Sequence, residues 1–518
     1  MILLWMLMVL LAGGAAAWAL AQVSPNAGRW TALLAAGAFL GLALRLWSYP
    51  LLEVPFPGCW QAMVNWPWIP QLGIRFHLMA DGISILLLLL TGVVGLLAIG
   101  VSWTGITERV GFFHFNLLWT MAGIAGVFMA LDLILFYVFW EMMLIPLFFL
   151  IVIWGREQRR RAAIKFLLYT QAGSLVLLLG ILGLCFAHYR GTGLLTFNYF
   201  ALLHEPLAPA LGFWLMLAFF IGFAVKLPVV GVHGWLPDAH SQAPAAGSVF
   251  LAGLALKVGA YGLLRFTVPL FPQAAFAFAP VALVLAVAGI LYGAVLAYGQ
   301  RDLKRLIACS SISHMGFVLL GIFCWNELAL QGALLVMLAH GVSTAALFAV
   351  ADMLHRRSDT YDLERMGGLW AALPRLGGAT LILVLATLGL PGLANFIGEF
   401  LVLLGAWQAH PTLTVIAACG LVLSAIYALK LVQAVFHGPA PGAANLLPDA
   451  GRRERLLLGG AIALLIWFGL NPGPLLRTSG PALRQLESDI RQPAVVDHEQ
   501  NYYRTPPDSV APTAGGGR

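Results

Sequence analysis

The sequence predicts an all-α polytopic membrane protein with about fourteen transmembrane helices, and three observations carry that prediction. The 518-residue chain is 61% hydrophobic and only 10% charged, against roughly 45–50% apolar and about 25% charged for an ordinary soluble domain. Its mean hydropathy of +0.89 excludes a soluble globule. The apolar residues fall in separate runs of about 20, the length that spans a hydrocarbon core about 30 Å thick at 1.5 Å per residue. These runs do not alternate with period two, so a transmembrane β-barrel is excluded as well.

Cut at charges and turn residues, the runs lie at about 2–21, 29–48, 82–101, 111–130, 132–154, 164–187, 211–228, 247–266, 275–297, 305–325, 328–354, 376–408, 412–437 and 456–476. The first has no basic n-region and is followed at once by another apolar run, so it reads as a span and not as a cleaved signal. Lys plus Arg 29 against Asp plus Glu 22 gives a net charge of +7. In a soluble protein that balance would suggest nucleic acid; here the basic residues sit in short loops and report topology, and no nucleic-acid partner is expected. Alternate loops carry Arg29, Arg109, Arg156, Arg159, Arg160, Arg161, Arg301, Lys304, Arg305, Arg356, Arg357, Arg365, Arg375, Arg452, Arg453 and Arg455, while the opposite set carries Arg45, Arg75, Arg190 and Arg265. The bias places the first set in the cytoplasm and both termini outside.

Spans 7 and 12 are predicted to be broken. The seventh runs into Pro228, Gly231, Gly234, Pro237 and Pro244, and the twelfth contains Pro391, Gly392 and Gly398. Helices broken at membrane depth line polar cavities, and a matching pair five spans apart marks an internal repeat. Spans 4–8 and 9–13 then form two five-helix repeats, inverted because an odd number of crossings separates them. The expected organisation is a three-helix segment at 1–110, a first repeat at 111–266, a second at 275–437, a final span at 438–480 and a polar tail at 481–518. The Trp/Pro-rich stretch 49–75 reads as a loop.

Cys59, Cys185, Cys309, Cys324 and Cys419 are scattered, with no C-x-x-C or Cys/His cluster, and no Gly-rich phosphate loop follows a strand. No metal site and no bound nucleotide or redox cofactor is therefore expected in this chain.

A charge at the centre of a spanning helix costs roughly 2.5–3.5 kcal/mol on insertion scales, so each one is a functional candidate. Four stand out: Glu141 in span 5, Lys226 before the break of span 7, Lys257 in the middle of span 8, and Glu399 just after the break of span 12. His233 and His240 lie in the span 7 breaker segment, His314 in span 10 and His340 in span 11, and histidine can pass a proton between its ring nitrogens near neutrality. The competing reading of any one such group is a buried ion pair that steadies a kinked helix. Four together, on the broken helices and their neighbours, point to a Glu/Lys/His relay. Desolvation disfavours a protonated lysine and a nearby carboxylate restores it, so moving Glu141 against Lys226 would move a proton.

The segments ALDLILFYVFWEMMLIPLFFLIVIWG, GFAVKLPVVGVHGWLPDAHSQAPAAGSVFLAGLALKVGAYGLLRF, DLKRLIACSSISHMGFVLLG, LAHGVSTAALF and LPGLANFIGEF resemble the antiporter-like membrane-arm subunits of bacterial NADH-quinone oxidoreductase (complex I) and their mitochondrial counterparts. The likeness runs in order over about residues 76–475. It implies a proton-translocating subunit in the bacterial inner membrane, part of an H⁺-translocating translocase of the respiratory chain, with neighbouring antiporter-like subunits and the lipid bilayer as partners. NADH, FMN, iron–sulfur clusters and quinone would be handled by other subunits of that complex. The relay positions it implies are Glu141, Lys226, Lys257 and Glu399, with His233, His314 and His340 on the axis. Mrp-type cation/proton antiporters and related hydrogenase or carbon-uptake complexes share the same segments and supply the alternative reading, but several place a lysine where this chain has Glu399.

Overall fold

The computed structural model describes residues 1–51, 58–203, 205–439 and 447–491. The chain opens with α1 (Ile2–Ala21) and α2 (Pro25–Trp47), then a two-stranded antiparallel hairpin, β1 (Trp60–Ile69) and β2 (Ile74–Asp81). Next come α3 (Gly82–Ser102), α4 (Val110–Met129), α5 (Leu133–Met142), α6 (Leu144–Trp154), α7 (Arg159–Thr192) and the short α8 (Tyr199–Leu202). The broken seventh span is α9 (Pro209–Lys226) and α10 (Leu236–Gln242); the eighth is α11 (Ala245–Phe250), α12 (Leu256–Gly262) and α13 (Val268–Leu270), joined by π-helical turns at 251–255 and 263–267. The rest is α14 (Pro272–Tyr298), α15 (Leu303–Ile322), α16 (Glu327–Ser358), α17 (Pro374–Thr387), α18 (Ala394–Ala409), α19 (Pro411–Phe436), α20 (Arg452–Leu470) and α21 (Gly473–Arg491).

Every one of the fourteen expected runs coincides with a helix or a helix pair. Twelve are long and apolar enough to cross a membrane as they stand. The twelfth run in sequence order divides into α17 with 14 residues and α18 with 16, each shorter than a full crossing. The last is α20, bent by 68° into α21. Burial ranks the spans: the most apolar windows of the eighth span and of α16 are fully buried, whereas those of α1 and α2 are 39% and 33% buried. Spans 8 and 11 therefore form the centre of the bundle and the first two its rim.

Two features differ from the sequence reading. The stretch read as a loop contains the hairpin, whose turn is made by Gly73 at φ 66°, the left-handed region that glycine enters without steric cost. Pro67 inside β1 argues against a strand, but it sits near a register irregularity where a missing N–H is tolerated; residues 52–57 of that loop lie outside the described residues. The polar tail expected from 481 is helical as far as Arg491, because α21 is amphipathic and a hydropathy window averages its two faces away. Residues 492–518 lie outside the described part.

One local device occurs twice. Asp132 caps α5 through the amides of Ile134 and Leu135, and beside it Leu133 N–H donates to the Phe197 carbonyl while Tyr199 N–H donates to Leu131. Asp302 caps α15 through the Arg305 amide, Leu303 N–H donates to the Tyr361 carbonyl and Leu363 N–H donates to Arg301. In each, a threonine hydroxyl accepts from the residue two ahead (Thr196 from Asn198, Thr360 from Asp362), which in turn caps a short helical turn. The motifs are Thr196-Phe197-Asn198 and Thr360-Tyr361-Asp362. The halves α9 and α17 also end alike, with a last amide bond to the fifth residue back, Val229 to Ala224 and Leu390 to Leu385. Glycines at positive φ follow, Gly231 at 100° and Gly392 at 94°.

Asn198 also meets the buried His77 of β2, its Nδ2 lying 3.0 Å from Nδ1. Replacing Asn198 by Ala removes a cap and a buried hydrogen bond and is expected to cost about 1–3 kcal/mol, read as a lower thermal unfolding midpoint. Burial, followed by the charge of Arg75, pushes the His77 ring down to about 3. The unfolded ring takes up a proton near pH 6.5 and the folded one does not, so this contribution is complete above about pH 6.5 and is lost as pH falls toward 3. A His77→Gln variant should lack that slope in unfolding measured against pH.

Candidate functional site

The four charges within the spanning helices are not equally connected. Lys226 ends α9, where the helix must stop before Pro228, and its side chain is 1% exposed. Among the described residues its Nζ has no hydrogen-bond partner, and it lies 5.2 Å from the Trp140 ring and 6.0 Å from Phe166. Glu141, on α5 beside Trp140, acts on it electrostatically. Among the described residues no salt bridge joins the two. The Glu141 carboxylate instead accepts from the hydroxyl of Ser174 on α7, which lies 3.3 Å from Tyr137 Oη. The pair is thus held apart, the lysine on aromatic faces and the glutamate on hydroxyls.

Spans 7 and 8 meet through Gly259, where an added methyl group would lie 2.7 Å from both Leu227 N and the Phe223 carbonyl. That contact sets Lys226 beside the span that carries Lys257. Lys257 occupies the short α12 between the two wide turns. Ala252 in the first wide turn offers its carbonyl to Nζ at 2.5 Å, and His340 Nδ1 on α16 lies 2.7 Å away. π-turns inside α-helices loosen the regular backbone ladder and free carbonyls for such roles.

From there the string continues without a gap wider than one ring contact. The His340 and His314 rings lie 5.2 Å apart between centroids. His314 Nδ1 is 2.8 Å from Glu399 Oε1, and Tyr427 Oη is 3.1 Å from His314 Nε2. Lys257, His340, His314, Glu399 and Tyr427 are all 0–1% exposed. Among the described residues His340 Nε2 and Glu399 Oε2 are buried without partners, which leaves one open polar position at each end of the segment that carries His314. A string of alternating donors and acceptors with open positions can take up, hold and hand on a proton.

His233 is not brought into this string. It is half-buried on the breaker loop, with its ring 5.4 Å from Tyr292. His240, seven residues on, is fully buried and stacked on Phe348 at 4.9 Å. Among the described residues neither of its ring nitrogens has a partner, and it interacts electrostatically with Lys257 and Lys304. Lys304, which sequence reasoning counted among the loop charges, is 1% exposed with Nζ 2.6 Å from the Ala243 carbonyl. Ser174 and Tyr427 were missed because a neutral hydroxyl in a helix carries no hydropathy signal. Around the inner end of α10, Asp238 takes Lys165 of α7 at 2.6 Å and Arg305 of α15 at 2.7 Å.

Known proteins share this architecture. A family model described as NADH:quinone oxidoreductase/Mrp antiporter, TM, matches residues 130–425, a range that contains Glu141, Lys226, Lys257, His314, His340 and Glu399. The chain is similar to subunit M of NADH-quinone oxidoreductase from Escherichia coli (strain K12), 47% identical over 497 residues that cover 94% of this chain and 98% of the relative. Subunit M from Pseudomonas aeruginosa is 46% identical, with 94% and 97% covered. Among solved structures, respiratory complex I from Thermus thermophilus with bound NADH contains a chain that superposes with a TM-score of 0.84 at 32% identity, covering 95% of this chain and 100% of that one. An Mrp complex from Dietzia sp. gives 0.79 at 22% identity, covering 96% of this chain and 53% of that one, a likeness of fold.

The hydrogen bonds set a test of opposite signs. His340→Ala removes the side-chain acceptor of a buried ammonium and is expected to destabilise the protein by about 1–3 kcal/mol. The double variant Lys257→Met with His340→Leu removes the charge together with its partner and should be neutral or stabilising by comparison. Thermal unfolding of the two purified variants checks the order.

Proposed function

The chain belongs to the subunit M branch of the NADH:quinone oxidoreductase/Mrp antiporter family of membrane subunits, and on that premise we propose that it moves protons through a relay running from Glu141 and Lys226 to Lys257, His340, His314 and Glu399. The observation that carries this reading is the buried string from Lys257 to Glu399, hydrogen-bonded at both ends and joined in the middle by the His340–His314 ring contact. Membrane-arm neighbours of the same kind are its partners, and the protein is a multi-pass subunit of the respiratory complex. Its place in a bacterial inner membrane and the outward position of both termini follow from composition and the loop-charge bias.

Oxidation of NADH and reduction of quinone belong to other subunits in this reading. The residues of this chain hold and pass protons. Lys226 keeps its proton when Glu141 closes on it and gives it up toward Lys257 when the carboxylate withdraws to Ser174. A unit pair 4 Å apart is worth about 4 kcal/mol relative to full separation at an effective dielectric of about 20, and moving one charge against 100 mV takes roughly 2.3 kcal/mol. A movement of one carboxylate therefore changes the hold of Lys226 on its proton on the scale of the step. Glu399, with Oε1 on His314 and Oε2 open, is the release station.

The division into inverted repeats at 111–266 and 275–437 is supported by the twofold clasp at Asp132 and Asp302 and by the matched breaks at Gly231 and Gly392. An odd number of crossings puts the two clasps at opposite ends of the bundle. His233 is assigned a peripheral part and His240 a place beside the axis.

Glu141→Ala and Lys226→Ala are expected to assemble, as judged by native gel, and to lose NADH-driven proton pumping together with coupled quinone reduction. The scale is about a hundredfold, that of losing one positioned proton-transfer group. Normal pumping by either assembled variant would make the pair structural. A sodium-proton exchange that proceeds without NADH would favour the antiporter reading instead.

A further inference from the structure

Outward of Lys257 the eighth span carries a second polar string that the relay does not use. Tyr261 follows Lys257 by one helical turn and Arg265 by two, roughly 12 Å along the axis at 1.5 Å per residue. Tyr261 Oη donates its single hydrogen to the Phe128 carbonyl at 3.1 Å and receives the Arg265 Nε–H at 3.3 Å. Arg265, 6% exposed, is paired with Asp81, 2% exposed, which also caps α3. The guanidinium lies 5.3 Å from the Trp60 ring and 5.5 Å from the Tyr261 ring. On the hairpin side is a cavity of about 20 Å³ lined by Asp81, Tyr199, Arg265 and Asp489, room for about one water.

Tyr261 and Arg265 thus extend the polar positions of the eighth span from Lys257 toward the hairpin face, yet Arg265 cannot relay. A guanidinium does not deprotonate in proteins, and a fixed buried positive charge repels an excess proton. The Tyr261 hydrogen is committed to a carbonyl, so the phenol cannot hand it outward without rotating. Asp81 balances the charge and makes it tolerable at this depth.

We propose that the Arg265–Asp81 pair, backed by Tyr261, is an electrostatic plug that stops Lys257 from discharging protons to the hairpin face, so that they leave through Glu399. The proposal rests on the relay reading above. It adds a leak barrier to that reading and assigns Arg265 a role that a proton-transferring group could not fill, with Asp81 as the counter-charge that holds it in place.

The test is passive proton permeability of the assembled complex in liposomes loaded with a pH-sensitive dye, with no NADH present. The neutral double variant Asp81→Asn with Arg265→Gln keeps side-chain hydrogen bonding without charge, and Arg265→His puts a titratable ring where the guanidinium stands. Both are expected to lose an imposed pH gradient faster than the unmodified complex, and, under NADH-driven turnover, to oxidise NADH while holding a smaller gradient. Adding Lys257→Met to either leaking variant should restore slow decay. Wild-type decay in both the double variant and Arg265→His overturns the plug, as does a leak that persists with Lys257→Met. Passive decay is read without turnover, so its outcome is separate from the pumping of Glu141→Ala and Lys226→Ala, whose normal activity would instead remove the relay.

Discussion

The structure depends on holding two buried amines inside a bundle of apolar helices. Lys226 and Lys257 solve this in two ways. Lys226 rests on the faces of Trp140 and Phe166, with Glu141 acting on it but not in contact, an arrangement that tolerates charge through ring quadrupoles and long-range attraction. Lys257 is bonded to a backbone carbonyl and a histidine. The first lacks directional bonds and can change state when a carboxylate moves; the second is fixed in place. The breaks, the wide turns and the glycine contact between spans 7 and 8 all serve to present these two amines to one axis.

Much of this was legible in the sequence because charge in an apolar run is loud. Glu141, Lys226, Lys257 and Glu399 announce themselves by cost, and Pro228 and Pro391 announce the breaks. The groups that complete the string are quiet. Ser174 and Tyr427 are ordinary helical residues by hydropathy. Lys304 hides among loop arginines, although the fold buries it. Of the two histidines in the breaker segment, sequence favoured His233, and only the fold decides that His240 is the one stacked on Phe348 of α16 beside the axis. The hairpin and α21 escaped for a related reason: Pro67 speaks against a strand, and an amphipathic helix has a hydropathy close to that of a loop.

The twofold clasp shows how one backbone device can recur without similar side chains. What recurs is a set of backbone bonds with three side chains to orient them, so Phe197 and Tyr361 or Asn198 and Asp362 can differ while the geometry stays. Each clasp fixes where a spanning helix begins, and so fixes the depth at which Glu141 on one helix and His314 on the other enter the bilayer.

The half-helix α10 has seven residues, too few to hold a position by its own hydrogen bonds. Its place is set at one end by Asp238 lying between Lys165 and Arg305, on helices that belong to different halves of the protein. All three side chains are about one-third exposed, and such pairs contribute at most about 1 kcal/mol each. The clasp is therefore a detent and not a weld. It is strong enough to favour one seating of α10 and weak enough to slip on thermal energy when either α7 or α15 is displaced, so a small mechanical push from one half is felt as a repositioned His240 in the other.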